Sequence, residues 1–173
     1  MIDTLTAIIF MGGAATLGTL SIIDLKTFLL PNKWVATFAV LGFSFHAINA
    51  FEALSIEQVT YGALAGFWTL YIIRAGGNWY YKQDSLGLGD VKLLGAAGIW
   101  LGVEGVFFAI TAGAFAGLIH GIIYAVWVSI KNKQPIQMAR LRIPAGPGFA
   151  IGTLGVITWQ YRDLLVQSFQ NAF

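Results

Sequence analysis

The chain contains no cysteine at all and only four prolines. Disulfides, thiolate zinc sites and thiol nucleophiles are therefore excluded. Charge is nearly as scarce. Ten Lys and Arg and eight Asp and Glu make up 10% of the 173 residues, where about 25% is usual for a soluble domain. That is too little to coat a water-soluble protein of this size, and too little for a disordered chain or a charged coiled coil. The net charge is +2, so a pI near 9.0 reflects a small surplus and offers no basic face for nucleic acid. Apolar surface is abundant instead: 57% of residues are hydrophobic and the mean hydropathy is +0.73. This is the composition of an integral membrane protein, whose natural partner is the lipid bilayer.

A membrane helix needs about 20 mostly apolar residues. Suitable runs extend from about Leu5 to Ile23, Trp34 to Ala50, Val59 to Ile73, Val106 to Ile130 and Gly146 to Tyr161. A shorter run, Val91 to Leu101, predicts a fourth helix that enters from one side and is shielded by its neighbours. The expected fold is thus all-α and integral to the membrane. It is a six-helix transmembrane bundle with a short fourth helix, one polytopic domain over residues 1–173. No basic residue precedes the first run, and that run exceeds the apolar stretch of a cleaved signal peptide.

The basic residues orient the bundle. Lys26, Lys33, Arg74, Lys82, Lys92, Lys131, Lys133, Arg140 and Arg142 fall on one side, leaving only Arg162 on the other. Basic loops stay in the cytoplasm, so a multi-pass protein of the inner (cytoplasmic) membrane is expected, with both termini outside. Gly62 and Gly66, and Gly113, Gly117 and Gly121, recur at a spacing of four, which lets helices approach closely in lipid. Trp34, Trp79, Tyr80, Tyr81, Trp100, Trp159 and Tyr161 fall at span ends, as an interfacial aromatic belt does. His46 and His120 read as hydrogen-bonded core residues. No metal or other cofactor is expected, because no His or acid pair sits at i, i+4 on one helix.

Acids at a membrane boundary are costly and need a reason. Asp24 ends the first span and Asp90 opens the fourth, at the same predicted depth. Each could simply cap a helix end or pair with Lys26 or Lys92. Two such carboxyls brought together would share one proton, giving one acid and one base. The helix-end dipoles would favour the proton on Asp24, at a C-terminus, over Asp90, at an N-terminus. Gly87 and Gly89 leave room beside Asp90 for an extended peptide, while Pro31 and Asn32 mark a turn after Asp24. Asp84 reads as a solvated loop acid, and Lys92 could pair with Asp90 or with lipid phosphate. The competing class is a small transporter or an assembly subunit, which would place acids near the bilayer midplane.

Asp24 followed by Leu30-Pro31-Asn32, then Gly87-Leu88-Gly89-Asp90-Val91-Lys92-Leu93-Leu94, then Ile143-Pro144-Ala145-Gly146-Pro147, resembles the type IV prepilin peptidases, which are intramembrane aspartic proteases of the Gly-x-Gly-Asp type. The resemblance spans Asp24 to about Gly152. It implies that Asp24 and Asp90 are the catalytic pair, with Gly87, Gly89, Pro31, Asn32, Lys92, Pro144, Gly146 and Pro147 shaping the site or binding substrate. It further implies that the short basic leader of a prepilin or pseudopilin precursor is removed at the cytoplasmic face, without an acyl-enzyme. Longer members carry a cysteine-bearing cytoplasmic segment and also methylate the new N-terminus. The lack of cysteine points to the short, peptidase-only form. Ala145 stands where a bulkier aromatic is common in the family.

Overall fold

The computed structural model describes residues 2–132 and 144–172. The motif residue Ile143 and the basic residues Lys133, Arg140 and Arg142 lie outside them. Among the described residues every regular element is helical: α1 Ile2–Thr27, α2 Asn32–Ile48, α3 Ile56–Tyr81, α4 Leu88–Asn132, α5 Gly146–Gln160 and α6 Arg162–Ala172. Two stretches, Asp3–Thr27 and Leu88–Lys131, are each long and apolar enough to cross a membrane.

Local chemistry sets the ends. The chain leaves α1 through Phe28 at φ 55°. Pro31 then cannot continue that helix and caps α2 in extended geometry. Along α1, the hydroxyls of Thr16, Thr19, Ser21 and Thr27 donate to carbonyls four residues back, so these polar groups are satisfied inside an apolar helix. Helix α2 stops at Ile48, before the expected Ala50, because Ala50 and Phe51 both turn to positive φ. Helix α3 opens on a capping box between Ser55 and Gln58 and ends where Lys82 adopts a left-handed conformation. It therefore runs well past Ile73 and carries Arg74, which the sequence placed in a loop.

Helix α4 is broken at Gly102, where φ is 68° and ψ is −172°, a conformation open to glycine alone at little cost. The break falls between the two apolar runs expected there. The first arm, residues 88–101, is roughly 21 Å long at 1.5 Å per residue. It is the most enclosed part of the molecule, with Val91, Leu93, Leu94, Ala97, Trp100 and Leu101 essentially inaccessible. The break exposes backbone carbonyls that a continuous helix would use. Tyr161 Oη donates to the Trp100 carbonyl at 2.6 Å, His46 Nε2 lies 3.2 Å from the same oxygen, and Gln160 Nε2 donates to the Leu101 carbonyl at 3.3 Å.

Trp100 and Tyr161 thus do not belong to an interfacial belt. Trp100 stacks on Phe38, donates from Nε1 to the Phe38 carbonyl at 2.9 Å, and lies where Cβ atoms on Gly13 and Gly42 would stand. Both aromatics are buried with their polar atoms satisfied, Trp100 by the Phe38 carbonyl and Tyr161 by the Trp100 carbonyl beside the helix break. Trp79, Tyr80, Tyr81 and Trp159 are exposed. Helix α6 had no counterpart among the expected spans, as it is too polar and short to register as one. It lies against α1 through an edge contact of Phe169 with Phe10 and a bond from Asn171 to Asp3.

Glycines bring backbones together. A Cβ on Gly62 would strike the Gly98 carbonyl, one on Gly66 the Leu94 carbonyl, and one on Gly152 the backbone of Gly113. Helix α3 is thereby seated on the first arm of α4, and α5 on the second. Gly98→Ala should cost about 1–3 kcal/mol through overpacking and lower the melting temperature in detergent. Gly18→Ala, where a Cβ meets open space, should leave it unchanged or raise it.

Candidate active site

The last turn of α1 and the first turns of α2, α4 and α5 converge at one end of the bundle. Asp24 on α1 is 5% exposed and Asp90 on α4 is 7% exposed, so both acids are withdrawn from solvent despite lying at helix ends. They are close enough for their charges to interact. The backbone N–H of Gly146, at the start of α5, donates to Asp24 Oδ2 at 2.9 Å. A Cβ at Gly146 would stand 2.6 Å from that oxygen, so a side chain here would displace the carboxyl. This donor from a separate helix acts against the helix-end contribution that favoured the proton on Asp24.

Asp90 is the third residue of α4, and its carboxyl turns back towards the Gly87 N–H at the helix cap, as an acid at this position commonly does. A Cβ at Gly87 would lie 2.8 Å from Asp90 Oδ2. The opposite oxygen, Asp90 Oδ1, is buried and has no hydrogen-bond partner among the described residues. A buried carboxylate oxygen without a donor is costly, and such an oxygen is a natural place for a water or a substrate group.

The other motif residues act as spacers and braces around this pair. The space beside Gly89 is taken by Leu30, whose Cβ would lie 2.8 Å from a Cβ there. Lys92 Nζ donates to Asn32 Oδ1 at 3.0 Å, tying the start of α4 to the start of α2. Among the described residues Lys92 makes no ion pair with Asp90. Pro147 is buried in the first turn of α5, where a missing N–H leaves no hydrogen bond unmade. Pro144 is half-buried just before that helix. The room left by Gly87, Gly89 and Gly146 is filled by the protein's own Asp90, Leu30 and Asp24.

A second polar cluster was not visible in the sequence. Arg74 donates from Nε to the Leu86 carbonyl at 2.9 Å and from Nη2 to Asp84 Oδ1 at 2.8 Å. Asn78 Nδ2 donates to the same Asp84 oxygen at 3.0 Å, and Asn78 Oδ1 accepts from the Ser85 N–H at 2.8 Å. The turn that leads into Gly87 is thus pinned to the end of α3. Asp84 is an exposed loop acid, as expected, but it is engaged in an ion pair. The one available signal was an Arg closing an apolar run ten residues before an acid. Among the described residues no group of three or more His, Asp or Glu could hold a metal ion.

A buried pair of carboxyls, framed by three glycine- or proline-bearing helix starts in an all-helical apolar chain, defines a membrane protein able to hold one acid and one base side by side. The profile of the type IV leader peptidase family matches residues 11–122, and the chain belongs to that family. The matched segment contains Asp24, Pro31, Asn32 and the Gly87–Lys92 block. The prepilin leader peptidase/N-methyltransferase of Escherichia coli (strain K12) is 32% identical over 144 residues, covering 82% of this chain and 60% of the relative. The protein of the same name from Pectobacterium carotovorum subsp. carotovorum is 29% identical, covering 77% of this chain and 44% of its own length. That of Aeromonas hydrophila is 28% identical, covering 92% and 57%. The chain thus spans about half the length of the curated relatives it matches. No solved structure matches it significantly.

The Arg74 cluster makes a direct prediction. Arg74→Ala should speed amide hydrogen exchange across residues 83–87 by roughly tenfold or more, the scale of losing hydrogen bonds to a charged group. Asp84→Asn keeps the Oδ1 acceptor and should change that exchange less.

Proposed function

We propose that this chain is an intramembrane aspartic endopeptidase that removes the short basic leader from prepilin or pseudopilin precursors at the cytoplasmic face of the membrane. The observation that carries this reading is the buried Asp24–Asp90 pair, formed by the two family motifs inside the matched segment and steadied by Gly146 from a third. One carboxylate takes a proton from a water molecule as its oxygen attacks the scissile carbonyl carbon. The other carboxyl gives its proton to the carbonyl oxygen. The tetrahedral adduct then collapses, the C–N bond breaks, and the nitrogen leaves as an amine with a proton returned through the pair. No covalent link to the enzyme forms, and no metal or other cofactor takes part. Asp90 Oδ1, buried and without a hydrogen-bond partner among the described residues, is the carboxyl oxygen left available to hold the attacking water.

Burial matters to this chemistry. Away from bulk water, charges act on the transition state with less screening. The Lys92–Asn32 bond and the packing of Leu30 on Gly89 keep the helix starts in register, which an acid–base pair requires within fractions of an ångström.

The same reading sets α1, α2, α3, both arms of α4, and α5 as six membrane crossings. The end carrying Asp24 and Asp90 faces the cytoplasm, and both termini lie outside. It is supported by the asymmetry of the basic residues, with Lys26, Lys33, Lys82 and Lys92 all within nine residues of Asp24 or Asp90 along the chain. A multi-pass protein of the inner membrane follows, with precursor peptides as its substrates.

Asp24→Asn and Asp90→Asn should each lower leader removal from a co-expressed prepilin by about 100-fold or more, read as a gel shift, while the amount of protein in the membrane stays close to wild type. Asp84→Asn should retain substantial activity. Retention of near wild-type processing by either of the first two variants would remove the aspartic mechanism.

The absence of native cysteine makes the topology directly testable. In intact cells, Glu52→Cys should react with a membrane-impermeant maleimide and Gln83→Cys should not. The reverse pattern would place the Asp pair on the wrong face for a cytoplasmic leader.

A further inference from the structure

Arg74 lies on α3, which carries neither acid of the pair, yet a single peptide unit links it to Asp90. Its Nε donates to the Leu86 carbonyl at 2.9 Å. The N–H of that same peptide belongs to Gly87, towards which the Asp90 carboxyl turns. A peptide unit is planar, and this one is trans, so its C=O and N–H point in opposite directions. A guanidinium that fixes the oxygen therefore also fixes the line along which the Gly87 N–H points. Positive charge on the oxygen side polarises the amide as well, which strengthens its N–H as a donor.

The arginine is itself held in place. Its Nη2 donates to Asp84 Oδ1 at 2.8 Å, and that oxygen also accepts from Asn78 Nδ2 at 3.0 Å. Asn78 Oδ1 in turn accepts from the N–H and the hydroxyl of Ser85, at 2.8 and 3.0 Å. A Cβ at Gly77 would strike Ser85 Oγ, so the turn lies directly on α3. The Asp84 side chain is 79% exposed and that of Arg74 only 24%. Water screens the attraction within such a pair, so Asp84 acts mainly by aiming the guanidinium. The planar fork of an arginine lets Nε and Nη2 bond two acceptors at once, whereas a lysine ammonium keeps the charge as a single point on a flexible stem.

We infer that Arg74 is a positioning residue for Asp90, acting through the Leu86–Gly87 peptide to hold the carboxyl with Oδ2 towards Gly87 and Oδ1 free. The inference rests on the peptidase reading and deepens it. A Cβ at Gly87 would lie 2.8 Å from Oδ2, whereas Oδ1 has no partner among the described residues. The terminal torsion of an Asp side chain is soft and roughly two-fold. Without a fixed donor at Gly87 the carboxyl can turn about that bond and present either oxygen. Arg74 therefore governs the chemical step, and its loss leaves the binding of substrate as it was.

The test compares Arg74→Lys, Arg74→Ala and Asp84→Asn in the purified full chain in detergent, with a prepilin as substrate. Arg74→Lys should lower kcat roughly tenfold or more, the scale of a hydrogen bond to a charged group, with KM within about twofold of wild type. Arg74→Ala should lose at least as much, and the lysine variant keeps the experiment decisive if the alanine variant does not fold. Asp84→Asn, which retains the Oδ1 acceptor, should lose less than either. A raised KM at unchanged kcat, or an unchanged kcat in Arg74→Lys, would overturn the inference. The amide proton of Gly87, followed by nuclear magnetic resonance, gives a readout that needs no substrate. It should move upfield in Arg74→Lys and in Asp90→Asn, as a weakened hydrogen bond requires. An unmoved resonance in Arg74→Lys would overturn the inference even where processing is lost. A wild-type protein that cleaves no prepilin would remove the peptidase reading, and the Gly87 resonance would then still uphold or overturn the hold of Arg74 on Asp90.

Discussion

Close backbone contact between helices is the constraint on which the rest of this molecule depends. In lipid, apolar side chains gain little by leaving one apolar surface for another, so helices must be held by intimate packing and by polar bonds between them. Here Gly62 lies against Gly98, Gly66 against Leu94, and Gly113 between Gly148 and Gly152. These crossings seat α3 on the buried arm of α4 and α5 on its other arm. Asp90 and the Gly146 N–H are brought to Asp24 as a result. A larger residue at any of the crossings would move a helix start away from the acid pair.

The break at Gly102 solves a second problem. An uninterrupted α4 would be far longer than the hydrocarbon layer and would carry its apolar surface out of register with the neighbouring helices. Breaking it gives a short inner arm and a longer outer one, but it frees carbonyl oxygens in an environment without water. Tyr161, His46 and Gln160 satisfy them. The buried residues Asp24, His46 and Asp90 therefore fall in two places. One group seals the broken helix, and the other surrounds the carboxyl pair at the opposite end. Buried polar residues elsewhere, Thr6, Thr16, Thr153 and Ser168, carry only hydroxyls, which cost less to bury than a charge.

The matched family segment ends at residue 122, yet the donor to Asp24 comes from residue 146. The third motif thus belongs to the same site although it lies beyond that match. Its glycine provides the N–H and the absence of a side chain together. Its neighbours Pro144 and Ala145 line a cavity between the second arm of α4 and the start of α5.

Much was legible in the sequence because it depends on composition and on residues close in the chain. Scarce charge and long apolar runs dictate a membrane environment. Pro31 marks where α1 cannot continue, whereas the Ser55–Gln58 box and the break at Gly102 emerged only in the structure. The positions of Asp24 and Asp90 at helix ends follow from where their apolar runs stop. Other features depend on which helix lies beside which, and no local pattern carries that information. Trp100 and Tyr161 looked like interfacial aromatics until Gly13, Gly42 and the open carbonyls of the broken helix drew them inward. Gly87 and Gly89 looked like space for a substrate, but Asp90 and Leu30 occupy it. Lys92 had several candidate partners, and Asn32, sixty residues away, is the one that the fold places within hydrogen-bond reach. The sequence alone determined the solvent this protein lives in and the acids it carries, because transfer free energy and helix termination act residue by residue. Only the tertiary structure decided which groups those acids and aromatics meet, because hydrogen bonds and close packing act over a few ångströms between segments that are distant in the chain.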